Sequence, residues 1–430
     1  MRKLLLAGVA LGAVTAMVSA TPARADDQPA AVFPVTTETD LAGYNGPSLN
    51  GAAPGSVQVN LGGRTFSALW FTTQPSGTPG WRQAPQPQFM SYFFLYPGFD
   101  YSSPSGVHFG AQAEIRETSA VQGGGTGGNI NSPLPFFHQA WTYVSSPVYG
   151  KVQFGMASGA LTANAVGQAD DFGEGLFFGW YSTNPYIPWV MGDAYDNYVT
   201  QQKVVYTSPT FSGFTAAVSF QPNAVAQTWA GNTTLGINPD CLAGSACGLL
   251  SRNRVEMVLK YANTFGALGL KAAGGYVFAG ADRAGGTAVA QDVSFGNVGF
   301  QVTYAGFEFE AQGQTGKFNV NLADNGNPDG PLPLGAKGST AATLGFGYST
   351  GPVKLGAVYY YADYDLADFG GTPGRIGAIS GPGFGAAYTV GPGVVAYFDS
   401  YYARFDNPEV GNGKVRQYPG GIGIGTFFTW

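Results

Sequence analysis

From residue 57 to the C-terminus the chain repeats one pattern, and that pattern limits what it can fold into. Runs of strand length alternate in side-chain character, and the connections between them alternate between short and long. In Val107-His108-Phe109-Gly110-Ala111-Gln112-Ala113-Glu114-Ile115-Arg116 the odd positions are apolar or small and the even ones mostly polar. Arg254-Val255-Glu256-Met257-Val258-Leu259-Lys260-Tyr261, Phe307 to Gln312 and Val353 to Tyr361 read likewise. A period of two residues is the signature of a strand with two different faces, not of a helix. The periodicity predicts sixteen strands, near 57–73, 86–99, 106–118, 136–145, 149–157, 201–208, 212–221, 253–263, 267–279, 291–304, 306–316, 340–349, 353–363, 381–389, 394–405 and 415–430. Short connections such as Ser146-Pro147, Thr264-Phe265-Gly266, Thr350-Gly351-Pro352 and Val390-Gly391-Pro392-Gly393 alternate with long ones at 119–135, 158–200, 222–252, 317–339 and 364–380. A soluble sandwich has no reason to keep this parity. A transmembrane barrel does, because its tight turns lie at the periplasmic end and its long loops outside. The expected fold is therefore all-β, a 16-stranded antiparallel transmembrane β-barrel spanning residues 56–430.

Composition agrees for physical reasons. Within hydrocarbon every backbone N–H and C=O must be paired, which a closed barrel does without leaving an edge. One strand face meets lipid and the other water, so a mean hydropathy of +0.00 is an average of two surfaces. Charged residues make up only 11% of the chain, as expected where an Arg or Lys on the lipid face costs about 2–4 kcal/mol at midplane. The 66 glycines suit tight turns and close strand approach. Hydrophobic residues at 44% argue against disorder, and no glycine period of the collagen kind is present.

Arg2 and Lys3, the apolar run Leu4 to Val18, and Ala23-Arg24-Ala25 have the order of a secretory signal peptide, residues 1–25. Cleavage after Ala25 removes three of 20 basic residues and none of the 26 acidic ones, leaving a net charge of −9. With no Lys/Arg run in the mature chain, nucleic acid is not an expected partner. Residues 26–55, rich in Pro, Gly and Thr, are read as a periplasmic or trimer-contact segment. In an exported chain, Cys241 and Cys247 are expected to form one local disulfide.

Two segments carry a more specific likeness. His138 to Val144 followed by Ser146 to Gly155, and Lys203-Val204-Val205-Tyr206-Thr207-Ser208-Pro209-Thr210-Phe211-Ser212-Gly213-Phe214, resemble the hairpins flanking the constriction loop of Gram-negative general porins. The last strand, Ile422 to Trp430, is similar to the C-terminal assembly strand of outer-membrane proteins, with Phe428 and Trp430 in its apolar stripe. The strand count and the position of the longest connection, 158–200, fit the same family. The likeness covers the whole mature chain in layout, and single residues over about 136–157, 200–221 and the C-terminus.

That resemblance implies a water-filled, homotrimeric channel for passive diffusion of ions and small hydrophilic solutes in the outer membrane of a Gram-negative bacterium. Membrane lipid, lipopolysaccharide and the outer-membrane assembly machinery would be its partners. The loop between the fifth and sixth strands would fold inward, its acids facing a basic wall across the lumen. The acids expected there are Asp170, Asp171, Glu174, Asp193 and Asp196; the wall candidates are Arg116, His138, Lys151, Lys203, Arg254 and Lys260. His138 stands where relatives commonly carry Arg, and an imidazole is largely neutral at pH 7. Together with the net charge, this favours weak cation selectivity. A substrate-specific channel for a sugar or organic acid would share the layout; the aromatic run Leu176 to Tyr181 could stack sugars, but such a run more often packs an inserted loop against the barrel wall. No catalytic or metal-binding motif of the G-x-S-x-G, H-E-x-x-H or Walker type occurs. Neither an enzyme nor a cofactor is expected.

Overall fold

A computed structural model describes residues 53–73, 87–118, 134–167, 202–223, 251–281, 292–317, 339–363, 378–407, 415–418 and 420–430. In chain order the strands are β1 (Val57–Thr73), β2 (Gln88–Ser102), β3 (His108–Thr118), β4 (Leu134–Ser146), β5 (Gly150–Met156), β6 (Gln202–Thr207), β7 (Phe214–Asn223), β8 (Ser251–Phe265) and β9 (Leu268–Ala281). They continue as β10 (Val293–Tyr304), β11 (Phe307–Lys317), β12 (Ser339–Thr350), β13 (Val353–Asp363), β14 (Ala378–Gly391), β15 (Val394–Tyr402), β16 (Arg404–Asn407), β17 (Val415–Gln417) and β18 (Gly420–Thr429). All join one antiparallel sheet: each strand from β1 to β14 pairs with the next, β15 pairs with β18 and β16 with β17, and β1 pairs with β18 to close it.

The barrel nonetheless has sixteen staves. β14 pairs with both β15 and β16, so these two are one stave broken at Ala403. β17 and β18 are likewise one stave, interrupted around Tyr418. The sequence places every stave within three residues of its observed ends, but it reads the last two as continuous.

Exposure alternates as the sequence alternates. Val204 and Tyr206 on β6, Met257 and Leu259 on β8, Val298 and Phe300 on β10 and Leu344 and Phe346 on β12 all face outward. Their neighbours one residue along, Lys203, Val205, Glu256, Val258, Asn297 and Thr343, are buried on the inner side. The C-terminal stripe Ile422, Ile424, Phe428 and Trp430 faces out, while Phe427 points in and packs on Phe66 and Tyr397. Trp430 completes the seam, its amide and carbonyl each hydrogen-bonded to Gly63 at 3.1 Å.

β5 and β6 are the shortest of the first fifteen strands, with 7 and 6 residues. The chain leaves the wall after Met156, and among the described residues the only helical turn, a 3-10 turn at Thr162–Asn164, follows at once.

Candidate functional site: the inner wall and the segment that crosses it

After β5, residues 157–167 run across the inner faces of successive strands. The Ala160 amide donates to Ser219 Oγ on β7 at 3.0 Å, and the Leu161 amide donates to Glu256 Oε2 on β8 at 3.0 Å. At the far end Thr343 Oγ1 on β12 donates to the Gly167 carbonyl at 3.0 Å. Ala160, Leu161 and Val166 are buried in the same apolar cluster as Val258, Ala273 and Val277.

Two glycines give this segment its path. A Cβ at Gly275 on β9 would stand 2.5 Å from Leu161 Cδ1, and one at Gly299 on β10 would overlap the Val166 carbonyl oxygen. Neither strand could carry a side chain there and keep the segment against the wall.

The wall beneath is charged and paired. Lys203, Gln221 and Arg254 occupy one inward row on β6, β7 and β8, each at most 5% exposed. Arg254 Nε donates to Glu256 Oε1 at 2.8 Å, and Lys203 is close enough to act on the same carboxylate. Glu256 therefore receives two cations and a backbone amide, which offsets the cost of burying its charge. On β3, Arg116 Nε donates to Glu114 Oε1, and Gln139 Nε2 on β4 donates to Glu114 Oε2 at 3.3 Å. Ser158 Oγ donates to Gln139 Oε1 at 3.4 Å, tying the start of the crossing segment to this second cluster.

A third feature is absent from the sequence reading. Arg64 on β1, Phe94 on β2 and Arg116 on β3 lie in one cross-strand row. The guanidinium carbons of Arg64 and Arg116 stand 5.1 and 4.5 Å from the Phe94 ring centre, so two cations flank one ring within cation–π range. Arg64 was legible by parity, since it shares the inward face of Phe66, Ala68 and Trp70.

The other candidates separate. Lys260 lies on the inward parity of β8, six residues beyond Arg254 toward the short turns. Lys151 is also outside the cluster, at the turn end of β5 opposite Thr207. His138 belongs to β4, and its side chain lies outside what the structure describes. Asp170, Asp171, Glu174, Asp193, Asp196, Cys241 and Cys247 also lie outside the described residues.

Comparison with known proteins agrees with this architecture. The family model for Gram-negative porins matches residues 10–408. The chain belongs to the Gram-negative porin family. Among solved structures this porin is similar to an anion-selective porin from Comamonas acidovorans, with a TM-score of 0.57 at 13% identity, covering 87% of this chain and all of that one. A porin structure refined at 1.8 Å gives a TM-score of 0.50 at 17% identity, and a mutant of the Rh. blastica porin 0.50 at 14%, with the same coverage. At these identities the likeness is one of fold. No curated protein matches the chain in sequence. The porin is an outer-membrane channel protein of a Gram-negative bacterium, and its family and fold are those of channels, not enzymes.

Proposed function

We propose that this porin is a general diffusion channel, homotrimeric and water-filled, whose lumen is narrowed by the 158–200 connection. The observation that carries this reading is the path of residues 157–167, held on the inner faces of β7 to β12 by Ser219, Glu256 and Thr343. A segment anchored on the inner wall at both ends of that path supports an inward course for the residues that follow it. Asp170, Asp171 and Glu174, with Asp193 and Asp196 further along, are then the acids of the constriction. Arg64, Arg116, Lys203 and Arg254 are the cations of the wall.

Selectivity follows from the balance. Glu114 and Glu256 already answer Arg116 and Arg254 on the wall, so acids on the inserted loop act largely uncompensated. With a net charge of −9 after signal-peptide removal, the channel weakly favours cations. Reversal potentials across a planar bilayer under a KCl gradient test this. A potential of the sign set by potassium supports it, and clear chloride preference refutes it.

A further inference from the structure

At the barrel end where the short turns lie, a cavity of about 670 Å³ opens on the inner faces of β3 to β6, lined by His108, Ser145, Lys151, Thr207, Ser208 and Thr210 among others. We propose that it is an oxyanion site inside the periplasmic mouth, taking phosphate, sulfate or a carboxylate-bearing solute on Lys151.

The ladder register makes the argument. Ser145 on β4, Lys151 on β5 and Thr207 on β6 are directly opposed, in one row on the inward parity, and His108 on β3 continues the row beside Ser145. Directly opposed residues bring their Cβ atoms to about 4.5–5.5 Å. One ammonium and two hydroxyls therefore converge on a single small ligand. Among the described residues none of these three side chains has a hydrogen-bond or ion-pair partner, so the row offers donors not already used by them. This differs from Arg116 and Arg254 at the level of the crossing segment, which have carboxylate partners.

Among the described residues no carboxylate lines the cavity. Asp100, beside the cavity-lining His108, is 1% exposed. Its Oδ2 meets His108 Nδ1 at 2.9 Å and its Oδ1 accepts the Tyr143 hydroxyl at 2.6 Å. Asp100 is therefore occupied by groups other than Lys151. A phosphate or sulfate oxyanion matches this donor set by charge and by its several acceptor oxygens. Because the row faces inward, its ligand is a solute in the channel and not a lipid headgroup on the outer surface. The site sits at the mouth, away from the level of the crossing segment, so it retains anions without fixing the sign of the pore's selectivity.

The proposal rests on the channel reading only for its electrical readout. In planar bilayers, inorganic phosphate added on the short-turn side should reduce chloride-carried current saturably, and acetate more weakly. Lys151→Gln should weaken this block about tenfold, the usual size for one lost charge-assisted contact. Lys151→Arg should retain it and shows that the barrel still assembles. Equal block in Lys151→Gln and the native protein overturns the site. Calorimetric titration of the detergent-solubilised full chain with phosphate separates the two claims. Saturable binding that Lys151→Gln loses supports the site even in a barrel that does not conduct, whereas no saturable binding to the native protein overturns it.

Discussion

The carboxylate of Glu256, in the middle of β8, accepts the backbone amide of Leu161, 95 residues earlier in the chain, at 3.0 Å. This contact and its Arg254 partner make Glu256 the fixed point between the barrel wall and the segment that crosses it. Glu256→Ala leaves the Arg254 guanidinium buried without its carboxylate and frees the Leu161 amide. Removing one partner of a buried pair costs about 3–5 kcal/mol. The expected result is a lower midpoint for heat-induced unfolding of the detergent-solubilised protein, together with a larger and noisier single-channel conductance.

Gly299 offers a cleaner test of the segment's path, because it carries no charge. Gly299→Val drives a side chain into the Val166 carbonyl and should displace the segment from the wall. Gly313→Ala, where a Cβ meets nothing within 4 Å, is the matched control. Conductance should change in the first variant and stay native in the second.

The row Arg64–Phe94–Arg116 gives a prediction about charge. Arg64→Ala removes a wall cation while leaving the Arg116–Glu114 pair intact, so reversal potentials in a KCl gradient should move further toward potassium. Phe94→Leu should cost stability instead, by about 2 kcal/mol for each lost cation–π contact at this buried site, with little change in selectivity.

The lipid face is tested by Leu259→Arg. Leu259 is half exposed on the outward parity of β8, where a charged residue near midplane costs about 2–4 kcal/mol. Folding into lipid vesicles, followed by denaturant titration, should show a loss of this size. Val258→Ala on the opposite parity should cost less than charge insertion, about 1–2 kcal/mol by lost burial alone.

How much of this was readable in advance depends on how local the signal was. Strand ends are local: Gly266, Gly306 and Gly393 sit in turns with positive φ, and alternation then fixes which face each residue shows. That is why Arg116, Lys151, Arg254 and Lys260 could be assigned a face from spacing alone, whereas Lys203 was suggested by the porin resemblance. The break at Ala403 left no mark, because Tyr402-Ala403-Arg404 alternates no differently from its neighbours. The destination of residues 157–167 was not legible at all. It depends on Ser219, Glu256, Gly299 and Thr343, up to 176 residues away, and a glycine that clears a path looks in sequence like any other strand glycine. Lys151 shows the same limit. Parity gives it an inward face, but its height in the barrel, and hence its separation from Arg254, comes from the register with Ser145 and Thr207.

The most direct test of the central claim is single-channel recording of the purified native protein in a planar bilayer bathed in KCl. An open pore with a fixed internal constriction should give discrete, long-lived steps whose size rises in proportion to salt concentration. Absence of steps from correctly folded protein, or conductance that saturates at low salt, would contradict it.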